Sequence, residues 1–153
     1  MNRKKEKQNL DYFKGVFDTY AFQNYSGINV YYGFGIYDFV LKESIQESFK
    51  DSFPEFRKSN FELVNITEDD FVNLLNKWFY AEFTPNLVKF NGFSKELTRN
   101  VVADLVESFE IEQIYKVSNL KFENKEVKLG LVTDFFILVS KSKGYLCEFI
   151  LDG

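Results

Sequence analysis

Nineteen phenylalanines, nine tyrosines and one tryptophan in 153 residues constrain this chain before any motif is read. Each such ring buries roughly 150–250 Å², and that much area needs a continuous interior. A load of this size is incompatible with intrinsic disorder. Two prolines and eight glycines also exclude a low-complexity or collagen-like chain. The length fits one domain whose own core suffices without a metal or disulfide staple.

There is no histidine and only one cysteine. A Ser-His-Asp triad and a Cys-His pair are therefore impossible, and the commonest neutral-pH general base is missing. One cysteine cannot build a structural zinc site. Any metal would have to be a hard cation on carboxylates, and no loop with alternating Asp/Asn around a central Gly is present. The expectation is a chain with no cofactor and no enzymatic activity. Paired carboxylates such as Glu62, Asp69, Asp104 and Glu107 are the one catalytic route left open. Cys147 lies in an apolar run and reads as a small buried hydrophobe. The start is basic but lacks a signal-peptide core, and no run reaches the ~18 apolar residues of a membrane span. A cytoplasmic protein is expected. Residues with AT-rich codons (Phe, Tyr, Ile, Asn, Lys) far outnumber Gly, Ala, Arg and Pro, which points to an AT-rich bacterial or phage genome.

Periodicity predicts a helix over 8–23, with Leu10, Phe13, Phe17 and Tyr20 on one face. Residues 28–34 alternate as a strand. From about Tyr37 to Phe53, Leu41, Ile45 and Phe49 predict a helix that Pro54 closes. Residues 61–66 form a strand. Thr67 then caps a helix over 68–83, with Asp70 completing a capping box. That helix is apolar over a wide arc, so Trp78 reads as core. A further helix starts at Ser94, with Leu97, Val101, Leu105 and Phe109 as its inner seam. Strands follow within 112–122, 126–139 and 144–151, the last two joined by a hairpin loop at 140–144. The fold class is α+β. Residues 1–9 are expected to form a flexible basic tip. Residues 10–153 form a single domain, in which an antiparallel sheet with a C-terminal β-meander packs against about four helices.

Net charge is −4. Arg3, Lys4, Lys5 and Lys7 sit at the tip, so the body is more acidic than the total. The acids cluster as Glu62, Glu68, Asp69 and Asp70, and as Asp104, Glu107, Glu110 and Glu112. Acids at 68–70 complement a helix N-terminus. At 104–112 they oppose a helix C-terminus, so another use is indicated. An acidic body repels nucleic acid and attracts basic proteins. The nine tyrosines, among them Tyr25, Tyr31, Tyr32, Tyr37 and Tyr80, do not all need to lie inside, and tyrosine suits protein interfaces.

Tyr32–Gly33–Phe34–Gly35 resembles the aromatic signature of RNA-recognition strands. The alternative that follows is a nucleic-acid module using Tyr31, Tyr32 and Phe34. It lacks the leading basic residue and sits in an acidic body, so nucleic acid is not the expected partner.

The closing hairpin, Asp134–Phe135–Phe136–Ile137–Leu138–Val139 through Gly144–Tyr145–Leu146–Cys147–Glu148–Phe149–Ile150, together with the small acidic α+β character, resembles the immunity proteins of bacterial polymorphic-toxin and contact-dependent inhibition systems. The resemblance implies an inhibitor that binds a cognate, basic toxin domain, for example a nuclease, and blocks it. The contact residues expected are Asp104, Glu107, Glu110 and Glu112, then Glu68, Asp69 and Asp70. A phage or host-defence inhibitor is the neighbouring alternative. No membrane partner is implied, and the oligomeric state is open.

Overall fold

The computed structural model describes residues 6–24, 31–80, 93–124 and 129–153. Helix α1 (Leu10–Gln23) starts where Asn9 accepts a hydrogen bond from the Tyr12 N–H at 2.9 Å. Its buried residues are Phe13, Phe17 and Ala21, one stripe at helical spacing. Strand β1 (Tyr31–Val40) follows, then helix α2 (Ile45–Ser52) and a 3-10 turn at Pro54–Phe56. Strand β2 (Ser59–Ile66) leads into helix α3 (Glu68–Phe79), which opens with the predicted capping box between Thr67 and Asp70. Helix α4 (Phe93–Phe109) and strands β3 (Gln113–Phe122), β4 (Val132–Val139) and β5 (Lys143–Asp152) complete the order.

The five strands form one antiparallel sheet in the order β1-β5-β4-β3-β2. The first strand thus pairs with the last, and the meander lies between. Both faces of the sheet carry apolar side chains because each is covered. On one face Phe34, Ile36, Phe136, Leu138, Cys147 and Phe149 meet Phe13 and Phe17 of α1, Phe71, Leu75 and Trp78 of α3, and Val102 and Leu105 of α4. On the other, Phe39, Phe61, Val117, Ile137 and Leu146 meet Phe49 of α2 and Phe56 of the 3-10 turn. The α+β class with helices against an antiparallel sheet is the one expected. Two cores, and not one, absorb the phenylalanines. Trp78 is fully buried, and its indole N–H donates to Asp134 Oδ2 at 2.7 Å, which satisfies the donor inside.

Two expectations need correction. The helix expected from Tyr37 is strand as far as Val40. Residues 31–40 pair one for one with 152–143 of β5, and the ladder holds Tyr37–Val40 extended. Ser44 then caps α2 by accepting from the Glu47 N–H, so the Leu41–Ile45–Phe49 spacing straddles a helix start. The seam of α4 is rotated. Ser94, Thr98, Val102 and Leu105 are buried, while Leu97 is 51% exposed. Thr98 Oγ1 bonds Asn76 Oδ1 of α3 at 2.9 Å, so small polar residues take the inner positions. The strand expected within 126–139 is β4, Val132–Val139. Where the tip is described, the Gln8 N–H donates to Ser108 Oγ and Lys7 pairs with Glu110. Residues 1–5, Tyr25 and the start of the strand expected at 28, the end of the helix expected at 83, and residues 125–128 lie outside the described residues.

Candidate functional site: an acidic cleft and an aromatic one

The two acid-rich segments converge. Ile66 at the end of β2 pairs with Ile114 at the start of β3. Glu68 lies two residues after the first, and Glu112 two residues before the second. Both line a cleft of about 280 Å³, floored by Ile66, Val106, Ile111 and Ile114. Asp69, Asp70, Asp104 and Glu107 do not line it. Glu68, Asp69, Glu107 and Glu112 are exposed, and among the described residues none of these four is in an ion pair. Asp70 is spent on the capping box, and Asp104 is half-buried. Glu110 is salt-bridged by Lys7 at 3.0 Å, which holds its carboxyl below the usual range.

Glu110 also ends α4 in a left-handed conformation, φ 53°. The Ile111 N–H bonds the Val106 carbonyl and the Glu110 N–H the Glu107 carbonyl, the pair of bonds that closes a Schellman motif. Glycine is the usual residue there, because a Cβ costs about 1–2 kcal/mol in that region. Glu110→Gly is therefore expected to stabilise the fold by up to about 1 kcal/mol in urea unfolding, since added freedom in the unfolded chain offsets part of the relief. A loss of stability would contradict the strained turn.

The aromatic alternative divides by strand parity. Tyr31 is 63% exposed, but Tyr32 (3%) and Phe34 (6%) are buried. Phe34 packs against Trp78, Phe79 and Phe149 in the helix-covered core. Tyr32 and Phe34 thus cannot serve as an exposed stacking platform, which corrects their assignment as a binding surface. The opposite face of β1 presents Tyr31, Gly33, Gly35 and Tyr37. Tyr37 also packs against Phe53 at the end of α2. A cleft of about 730 Å³ opens beside Tyr31, Gly33 and Tyr37; Gly35 does not line it. A Cβ on Gly35 would lie 2.7 Å from Tyr37 Oη, and one on Gly33 would lie 3.1 Å from Tyr31 Cε1. Both rings therefore lean over bare backbone, as in aromatic rescue of strand glycines.

Strand β5 supplies the acids of this cleft. Glu148 is the register partner of Gly35, Ile150 of Gly33 and Asp152 of Tyr31. Asp18 and Phe22 of α1 line its side. The Tyr37 hydroxyl donates to Glu148 Oε1 at 3.1 Å. Burial, then the Glu148 charge, pushes the Tyr37 phenol up to about 12. Burial pushes the Glu148 carboxyl up as well, against the lowering effect of the Tyr37 hydrogen bond. Sequence reasoning named Tyr31 and Tyr37 but missed Asp18, Glu148 and Asp152. The Tyr-x-Gly-x-Gly-x-Tyr spacing was the available signal, because it puts all four residues on one face.

Burial raises the Cys147 thiol far above its ordinary range, in keeping with a core role. Among the described residues no group of three or more acids or Cys is placed to hold a metal ion. No helix among them is long and apolar enough to cross a membrane.

No protein-family model matches the chain, and neither does any curated protein. Among solved structures, the crystal structure of citrus MAF1 covers 94% of this chain and 98% of its own, with a TM-score of 0.56 and 10% identity. The fold is similar to that of citrus MAF1. At that identity the likeness extends to the arrangement of helices and strands and carries no information on the clefts.

Proposed function

We propose that this chain is a non-catalytic protein-binding module, and that it acts as an immunity protein that neutralises a cognate bacterial toxin domain by binding it. The observation that carries the reading is the convergence of Glu68 and Glu112 on one cleft. The dipole of α3 accounts for acids at its N-terminus, but Glu107 and Glu112, at and just beyond the C-terminal end of α4, gain nothing from that of α4. A surface that keeps such charges unneutralised suits a basic partner, whose approach it steers and accelerates. The acidic balance of the whole chain supports the same sign of partner. A phage or host-defence inhibitor acting through the same surface shares the chemistry.

The test is capture by the tagged full chain from the cells that make it, with nuclease treatment, at low and then high salt. The expected result is one basic protein held near stoichiometry and released as salt rises. Glu68→Lys/Glu112→Lys should hold it on the order of 10–100-fold more weakly at low salt while keeping the helix signal of the parent. Equal retention by both chains, or recovery of nucleic acid with no protein, would overturn the proposal.

A further inference from the structure

We infer that the cleft beside Gly33, walled by Tyr31 and Tyr37, receives an arginine side chain of the protein partner. The inference rests on the protein-binding reading above and adds a second, separate contact to it. Four observations support it. The α2 side of the sheet is filled at Phe39 and Leu146, whereas at Gly33 and Gly35 only the rings of Tyr31 and Tyr37 lie against the backbone, and a cleft of about 730 Å³ opens beside Gly33. Its walls are the rings of Tyr31 and Tyr37, both partly exposed. A planar guanidinium stacks on such rings, and it is less strongly hydrated than an ammonium.

The charge is one-sided. Asp18, Glu148 and Asp152 line the cleft, and among the described residues no Lys or Arg lines it with them or pairs with them. Glu148 is the most enclosed of the three, and among the described residues its carboxylate accepts one side-chain hydrogen bond, from Tyr37. It thus has room to accept a forked guanidinium contact, which is the strong form of a charge-assisted hydrogen bond. Finally, a cation of the chain itself stands near the Tyr37 wall. Lys14 Nζ stands 6.0 Å from the centroid of the Tyr37 ring. That is the outer limit of a cation–π contact, so one face of the ring lies within reach of positive charge.

The test needs no partner. N-acetylarginine amide is titrated into the full chain, with tyrosine ring and backbone resonances followed by NMR. The neutral isostere N-acetylcitrulline amide serves as the comparison. Saturable shifts at Tyr31, Tyr37 and Glu148 are expected, with a dissociation constant of roughly millimolar order for so small a probe. The citrulline probe should bind at least tenfold more weakly. Glu148→Gln, which keeps an acceptor for Tyr37, should weaken the arginine probe about tenfold, and Glu68→Lys/Glu112→Lys should leave it unchanged. Equal shifts with the two probes, indifference to Glu148→Gln, or no saturable shift at Tyr31 and Tyr37 would each overturn the inference. Such a failure, with capture still sensitive to Glu68 and Glu112, would leave the acidic-cleft reading standing. The reverse pattern would remove that reading alone.

Discussion

Phe149→Ala is expected to lower the unfolding free energy by about 3–5 kcal/mol. Phe149 is fully buried and sits at the centre of the larger core. Its ring meets those of Phe17, Phe34, Trp78, Phe79 and Phe136, with centroids 5.1–6.2 Å away. These partners come from α1, β1, α3 and β4, so the cavity left by truncation touches four elements that cannot all relax into it. Domains of this kind have about 5–15 kcal/mol in total, so the variant should approach unfolding in mild urea. Trp78, the one tryptophan, stacks on Phe149 at 5.7 Å with an interplanar angle of 29° and reports the change by fluorescence. Phe149→Leu should lose less, about 1–2 kcal/mol. A loss below about 1 kcal/mol for the alanine variant would contradict the packing described.

Phe49→Ala should cost a similar amount, about 3–5 kcal/mol, on the other face of the sheet. Phe49 is fully buried, with Phe53, Phe56, Phe61 and Phe39 around it at 4.7–6.1 Å. Helix α2 has only eight residues, too few to persist in water without a tertiary anchor. Its amides should therefore exchange with solvent much faster in the variant. Among the described residues Phe49 and Phe149 share no ring partner, and they belong to separate clusters. Their milder leucine variants should then combine additively, to within about 0.5 kcal/mol. A large coupling would mean that the sheet does not separate two cores.

Local rules made part of this fold legible. The Thr67–Asp70 box, the Phe13–Phe17 stripe and the hairpin after Val139 each follow from residues a few positions apart, and each stands where expected. What escaped depends on distant residues. The ladder that keeps Tyr37–Val40 extended pairs them with 143–146, more than 100 positions away. The rotation of α4 depends on a bond from Thr98 to Asn76, which no hydrophobic period encodes. The same division holds for the clefts. Composition located both acid-rich segments, but only the Ile66–Ile114 pairing brings Glu68 and Glu112 to one place. The aromatic cleft was half visible. Alternation along β1 fixes Tyr31 and Tyr37 to one face, whereas Glu148 and Asp152 join them through the β1–β5 register.

The central claim is that the Glu68–Glu112 cleft meets a basic protein. Amide hydrogen exchange on the purified complex with the captured partner tests it most directly, comparing bound and free chain segment by segment. The account predicts slowed exchange at the start of α3, around 67–71, and at the end of α4 into β3, around 107–114, with the slowing lost in Glu68→Lys/Glu112→Lys. Protection confined to α2 and the 3-10 turn, with those two segments unchanged, would contradict it.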